Sequence, residues 1–247
     1  ESTCGFDPLH PSQILHWLTR LIAKSLLIAE YTTDENETRY TFLATIKQYA
    51  AEKLEQAGET AVMGQRHLDY FLNLAETNQA ALDSLRHIVT LKQLESEHDN
   101  CREALRFALQ QPKRHEALRL VNALTEFWDV RGYIGEGRNW LQRAIALYQA
   151  GDVPEAESVV YGYAQLNAGK LAVRQSDLAA ALSLAQSSLT LLQRLGDKAG
   201  IAQVYLLLGG VARMKSEWAV AQQWGEEALA LLREQSNKQG LLLALRH

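Results

Sequence analysis

Ala168-Gly169, Ala172, Ser176-Asp177, Ala181, Ser188-Leu189, Leu191-Leu192 and Gly200 return at a constant distance as Leu208-Gly209, Ala212, Ser216-Glu217, Ala221, Ala228-Leu229, Leu231-Leu232 and Gly240. The distance is 40 residues, as Gly169 to Gly209 shows. Small residues matching in register mark an internal repeat, and they decide against an ordinary helical bundle that only shares an Ala- and Leu-rich composition. An earlier copy aligns Leu124, Trp128, Gly137, Leu141, Ala144-Ile145 and Leu147 at an offset of 44, Gly137 to Ala181, with the extra residues around Gly151 to Pro154. Each unit reads as a helix A, a polar turn, and a helix B in which a small residue meets the preceding helix. Such a unit cannot hide its apolar faces alone, so stacking on its neighbours does that.

The order of residues resembles the tetratricopeptide pattern, W-x2-L-G-x2-Y followed by A-x3-F-x2-A. The third unit supplies Tyr205, Leu208, Gly209, Ala212, Ala221, Gly225 and Ala228; the second supplies Gln165, Ala168, Gly169, Ala172, Ala181, Ala185 and Ser188. The aromatic positions depart from the pattern, and the period exceeds the usual ~34 residues, which implies longer helices or connections such as Leu195-Gly196-Asp197-Lys198. The expected fold over 115–247 is a mainly α, tetratricopeptide-like α-α superhelix. Gly240 to His247 read as the start of a further helix.

Ahead of the repeats, Ile14, Leu15, Leu18, Leu21 and Ile22 recur at helical spacing between Pro11 and Leu27. Ser25 to Tyr31 and Arg39 to Leu43 flank a polar run and predict a β-hairpin. A second helix from Ala44 to about Gln56 ends at Gly58, a residue suited to the left-handed conformation that closes helices. Three helices are expected at 61–82, 86–96 and 97–110, with a polar break at Asp99-Asn100 and a stop at Pro112.

Composition narrows the functional classes. Hydrophobic residues are 47% and charged residues 22% of the 247, and the net charge is −4, which opposes a broadly basic nucleic-acid surface. Two cysteines, Cys4 and Cys101, cannot build a disulfide framework or the usual cysteine zinc site, so a reducing cytoplasm is the expected compartment. No apolar run reaches the ~20 residues of a membrane span, and an opening without methionine reads as the start of a fragment. Neither a phosphate-cradling G-x-x-x-x-G-K-[ST] nor a G-x-S-x-G nucleophile motif occurs, so no nucleotide hydrolysis or other enzymatic activity is expected and no cofactor is implied.

Leu21-Ile22-Ala23-Lys24-Ser25-Leu26-Leu27 followed by Arg39-Tyr40-Thr41-Phe42-Leu43-Ala44-Thr45-Ile46-Lys47-Gln48-Tyr49-Ala50 resembles a recurring element of bacterial STAND-type ATPase regulators, many of which carry LuxR-type DNA-binding domains. Arg66 to Glu76, Leu94 to Asn100 and Phe127 to Tyr133 continue the resemblance in order. It implies a partial winged helix over 1–57, a helical connector over 58–114 and a repeat sensor over 115–247, with an ATPase module upstream as intramolecular partner. The function so implied is a regulatory sensor of a cytoplasmic signal-transduction protein; a passive assembly scaffold is the alternative.

Candidate sites follow. The 11–22 helix is too apolar for DNA, and Asp34, Glu35 and Glu37 against Arg39 repel phosphate, so no nucleic-acid contact is expected from this winged helix. Glu95, His98 and Asp99, at i, i+3 and i+4, lack a second His for a metal and read as surface or packing residues. Cys101 belongs to an apolar face and no nucleophile motif. Asn36-Glu37-Thr38 matches a glycosylation sequon without an export signal. Phe127, Trp128, Tyr133 and Trp140 read as helix packing rather than a ligand cage. Groove positions on the A helices project to Arg119, Asn122, Glu126 and Asp129, then Tyr163, Leu166, Lys170 and Arg174, then Gln203, Leu206 and Arg213. That groove turns from acidic to basic, and Lys170, Arg174 and Arg213 fit an acidic peptide or other anionic partner.

Overall fold

A computed structural model of the chain describes residues 11–32, 37–82, 87–150 and 158–234. The expected hairpin tip, the extra residues at Gly151–Pro154, the Asn36 sequon, Cys4 and the helix start at Gly240–His247 lie outside them. The described residues form eleven helices and one two-stranded antiparallel sheet, in two units that divide between Phe71 and Leu72.

The smaller unit opens with α1 (Pro11–Ala23), β1 (Leu27–Thr32), β2 (Glu37–Phe42) and α2 (Ala44–Gln56), and α3 (Thr60–Leu82) begins within it. Leu27 pairs with Phe42 and Glu30 with Arg39 across the hairpin. Gly58 sits at φ +72°, its N–H on the Glu55 carbonyl and that of Glu59 on Leu54, so the expected glycine stop is a left-handed cap that satisfies the last carbonyls of α2. Among this unit's described side chains only Leu27, Leu68 and Phe71 are buried.

The larger unit continues through α4 (His87–Ser96) and α5 (His98–Gln110) into three helical hairpins: α6 (Arg114–Arg131) with α7 (Ile134–Gln149), α8 (Ser158–Arg174) with α9 (Leu178–Leu195), and α10 (Lys198–Met214) with α11 (Trp218–Glu234). The A helices α6, α8 and α10 also contact one another in order. Repeat and fold thus coincide. The break between α4 and α5 falls at Glu97, not at Asp99-Asn100 as the polar pair suggested, because Asp99 is tolerated in the first turn of α5 where carboxylates complement the helix dipole.

The small residues that revealed the repeat are where backbones approach. A Cβ on Gly169 would lie 3.5 Å from the Ala181 carbonyl oxygen, and one on Gly209 would lie 3.4 Å from that of Ala221. The same A-to-B helix contact therefore recurs one repeat later. Asp177 and Asp197 start α9 and α10 by accepting hydrogen bonds from Ala180 N–H and from Ala199 and Gly200 N–H.

Turn geometry yields a first prediction. α9 ends on Gly196 at φ +70°, whereas α8 and α10 end on Ser176 (φ +59°) and Ser216 (φ +62°) with the same pattern, Asp177 N–H to Ala172 O and Glu217 N–H to Ala212 O. A side chain in that conformation costs about 1–2 kcal/mol, part of which glycine returns through a floppier unfolded chain. Ser176→Gly and Ser216→Gly should each raise stability by up to about 1 kcal/mol, read as a higher urea midpoint with unchanged slope.

Candidate functional site

The groove is built from one stripe on each A helix. In α6, His115, Arg119, Asn122 and Glu126 fall at i, i+4, i+7 and i+11; in α8, Tyr163, Asn167 and Lys170 do the same. With Glu76 and Gln79 of α3 and Gln203 of α10 they line a concavity of about 510 Å3. The sequence projection thus places Arg119, Asn122, Glu126, Tyr163, Lys170 and Gln203 together. Leu166 is a correction: it is 0% exposed and packs with Ala185, Leu189 and Val204, because the phase of α8 turns Asn167 to the groove instead. Counting along the tetratricopeptide pattern slipped by one residue there. Asn167, as the polar residue in an apolar run, was the signal that would have corrected it.

The groove's polar groups are tied to one another. Arg119 holds Glu76 through two hydrogen bonds, Nε to Oε1 at 2.8 Å and Nη2 to Oε2 at 2.6 Å. Asn167 donates to the Asn122 side-chain oxygen (3.0 Å), Asn122 to the Val160 carbonyl (2.9 Å), and Lys170 to Gln203 (3.0 Å). Burial, with Asp197 beside it, holds the Tyr163 phenol well above the usual range. Glu76 was missed because it stands 43 residues from Arg119 in a segment without repeat character.

The proposed trio of cations is not one cluster. Lys170 lines the concavity, Arg174 is paired with Asp129 (Nε to Oδ1, 2.5 Å), and Arg213 lies with Leu206 in a separate cleft between α10 and α11. The acidic Asp129 and the basic Arg174 are thus two halves of one ion pair. A gradient from acid to base is not what the groove presents.

Glu95, His98 and Asp99 are absorbed into packing where α4 and α5 meet the first hairpin. Trp128 Nε1 donates to His98 Nε2 at 3.2 Å, Tyr133 donates to Glu95 at 2.6 Å, and Arg102 donates to both oxygens of Glu136, which also accepts from Trp140. His98 stacks edge-on against Phe127 and tilted against Tyr133. Cys101 is buried beside them, which pushes its thiol up to about 12. Among the described residues no group of three or more His, Cys, Asp or Glu side chains is arranged to hold a metal. No helix there is long and apolar enough to cross a membrane.

This knot predicts acid sensitivity. Burial lowers the His98 pKa below its usual 6.5, against a smaller opposing pull from Glu136; Arg102 lowers that of Glu136 below 4.5. Both groups bind protons more readily when unfolded, so their contribution is complete above pH 6.5 and declines as pH falls, first through the histidine and then through the carboxylate. Urea midpoints at pH 7.5, 6 and 5 should fall in that order. His98→Gln, which keeps an acceptor for Trp128, should flatten the first step, and an unchanged slope would dismiss the assignment.

Comparison with known proteins agrees with the geometry. A tetratricopeptide repeat model matches residues 162–234, which cover the second and third hairpins. Proteins described as HTH-type transcriptional regulators, one from Mycobacterium bovis and two from Mycobacterium tuberculosis, are 36% identical over 132 residues, 53% of this chain. The chain spans 14% of the length of these relatives. The crystal structure of BtubC (BKLC) from P. vanneervenii is similar with a TM-score of 0.49 and 17% identity, over 76% of this chain and 83% of that one. The chain contains a tetratricopeptide repeat region and is related to part of these regulators.

Proposed function

We propose that the protein is the sensor part of a multidomain cytoplasmic signal-transduction regulator: it binds a protein segment in the groove across α3, α6, α8 and α10 and relays occupancy to an ATPase module elsewhere in the same polypeptide. The observation that carries this reading is the 510 Å3 concavity shared by three successive A helices and α3. An array whose units touch only their neighbours is compliant, so a partner bridging several A helices alters its curvature. Glu76 couples that change to α3, the helix whose first turns belong to the smaller unit. The relation to part of transcriptional regulators supports the regulatory setting. This reading gives the chain a binding role and no catalytic one.

Panning a random dodecapeptide library on the full 247-residue chain should yield binders that Asn167→Arg or Glu126→Arg weakens. Binders indifferent to both substitutions would remove the groove. Acidic binders should gain affinity when Asp129→Asn releases Arg174 and lose it with Lys170→Glu. In a longer parent that includes an ATPase module, a groove binder should change ATP turnover; unchanged turnover returns the passive scaffold.

A further inference from the structure

A cleft of about 360 Å3 opens between α10 and α11 over Leu206, Gly209, Ala221, Gly225 and Leu229, with Trp218 65% exposed at its rim. Forty residues earlier, Leu166, Gly169, Ala181, Ala185 and Leu189 occupy the matching positions of α8 and α9, and all five are buried. What buries them is α10. Its Ile201, Val204 and Leu208 form one core with Leu166, Ala185 and Leu189, and its Val211 packs on Ala172 and Ala181. An added Cβ at Gly169 would come 3.0 Å from Leu207 of the same helix. Positions 201, 204, 208 and 211 make a single apolar helical face.

The molecule thus holds a filled example of its open cleft. Three substitutions between the two set the fit. Ala185 becomes Gly225, where a Cβ would meet nothing within 4 Å, so the floor is wider. Leu178 becomes Trp218, a broad apolar rim, and Lys170, which hydrogen-bonds Gln203 of the covering helix, becomes Gly210. The open cleft is therefore roomier and less polar than the filled one.

We infer that the α10–α11 cleft is a docking site, distinct from the groove, for one amphipathic α-helix of a partner protein that carries aliphatic side chains at i, i+3, i+7 and i+10. It continues the interface between the α8–α9 hairpin and α10 one repeat further, with the same ridges and grooves on offer. Glycines at 209, 210 and 225 leave room for a close backbone approach.

The probe is a synthetic peptide with the sequence of Lys198–Met214, the helix that fills the matching cleft. It should bind the full chain and shift Trp218 emission to the blue, a signal that Trp218→Phe removes. Gly225→Glu, which points a carboxylate into open space and so leaves the hairpin unstrained, should weaken binding by about tenfold or more, as should Val204→Asp in the peptide. Absence of binding, or binding that Gly225→Glu leaves intact, overturns the proposal. So does binding only by a chain with Leu241→Asp, which would make the protein's own residues the occupant. A dimer that Gly225→Glu dissolves, with no peptide binding, overturns it in favour of a second copy.

Discussion

Trp128→Ala should cost the protein about 3–5 kcal/mol, the range for emptying a fully buried aromatic site. Trp128 is 0% exposed, and its indole both fills the joint between the connector helices and the first hairpin and donates to His98. Truncation leaves a cavity and a buried imidazole nitrogen without its donor, and the two losses compound. Trp128→Phe separates them: it keeps most of the volume and should cost about 1–3 kcal/mol through the orphaned His98. Because array units communicate only through neighbours, hydrogen exchange should quicken in α4 to α7 before it does in α10 and α11. A loss below about 1 kcal/mol by urea denaturation would mean that the joint repacks freely.

Gly137→Ala should destabilise by about 1–3 kcal/mol even though alanine is the better helix former. An added Cβ would stand 2.8 Å from Trp128 Cε3 and 2.8 Å from Leu171 Cδ1, and both neighbours are buried. Neither can swing into solvent. The counterparts of this pair in the later units are Ala172 with Ala181 and Ala212 with Ala221, so the first unit exchanges a small A-helix residue for tryptophan and gives up the B-helix methyl to fit it. Gly137→Ala should therefore be neutral or better in a Trp128→Ala background, a coupling of about 1–3 kcal/mol in a double-mutant cycle. Simple additivity would show that the two residues do not share one space.

The helices between Thr60 and Gln110 were legible to within a residue or two because their signals are local: periodic apolar positions, Pro112 past the last turn and few glycines inside. The repeat was legible for a related reason. Ala181 and Ala221 must be small wherever Gly169 and Gly209 approach them, so the packing rule is written into composition at a fixed interval. The groove was only partly legible. Its stripe on α6 came through at Arg119, Asn122 and Glu126, while on α8 a one-residue error of phase exchanged core Leu166 for Asn167, since on a helix one residue is a turn of about 100°.

Sequence alone determined that this chain is a stack of helical hairpins with its A helices turned to one another, because helical period and residue size act over a few positions and leave a trace at each recurrence. Which charges remain for a partner was decided only by tertiary structure. Arg174 meets Asp129 across 45 residues and Arg119 meets Glu76 across 43, and ion pairs depend on distance in space, on which spacing along the chain is silent. The cations that looked like an anion clamp in one dimension are divided in three between a groove, an ion pair and a second cleft.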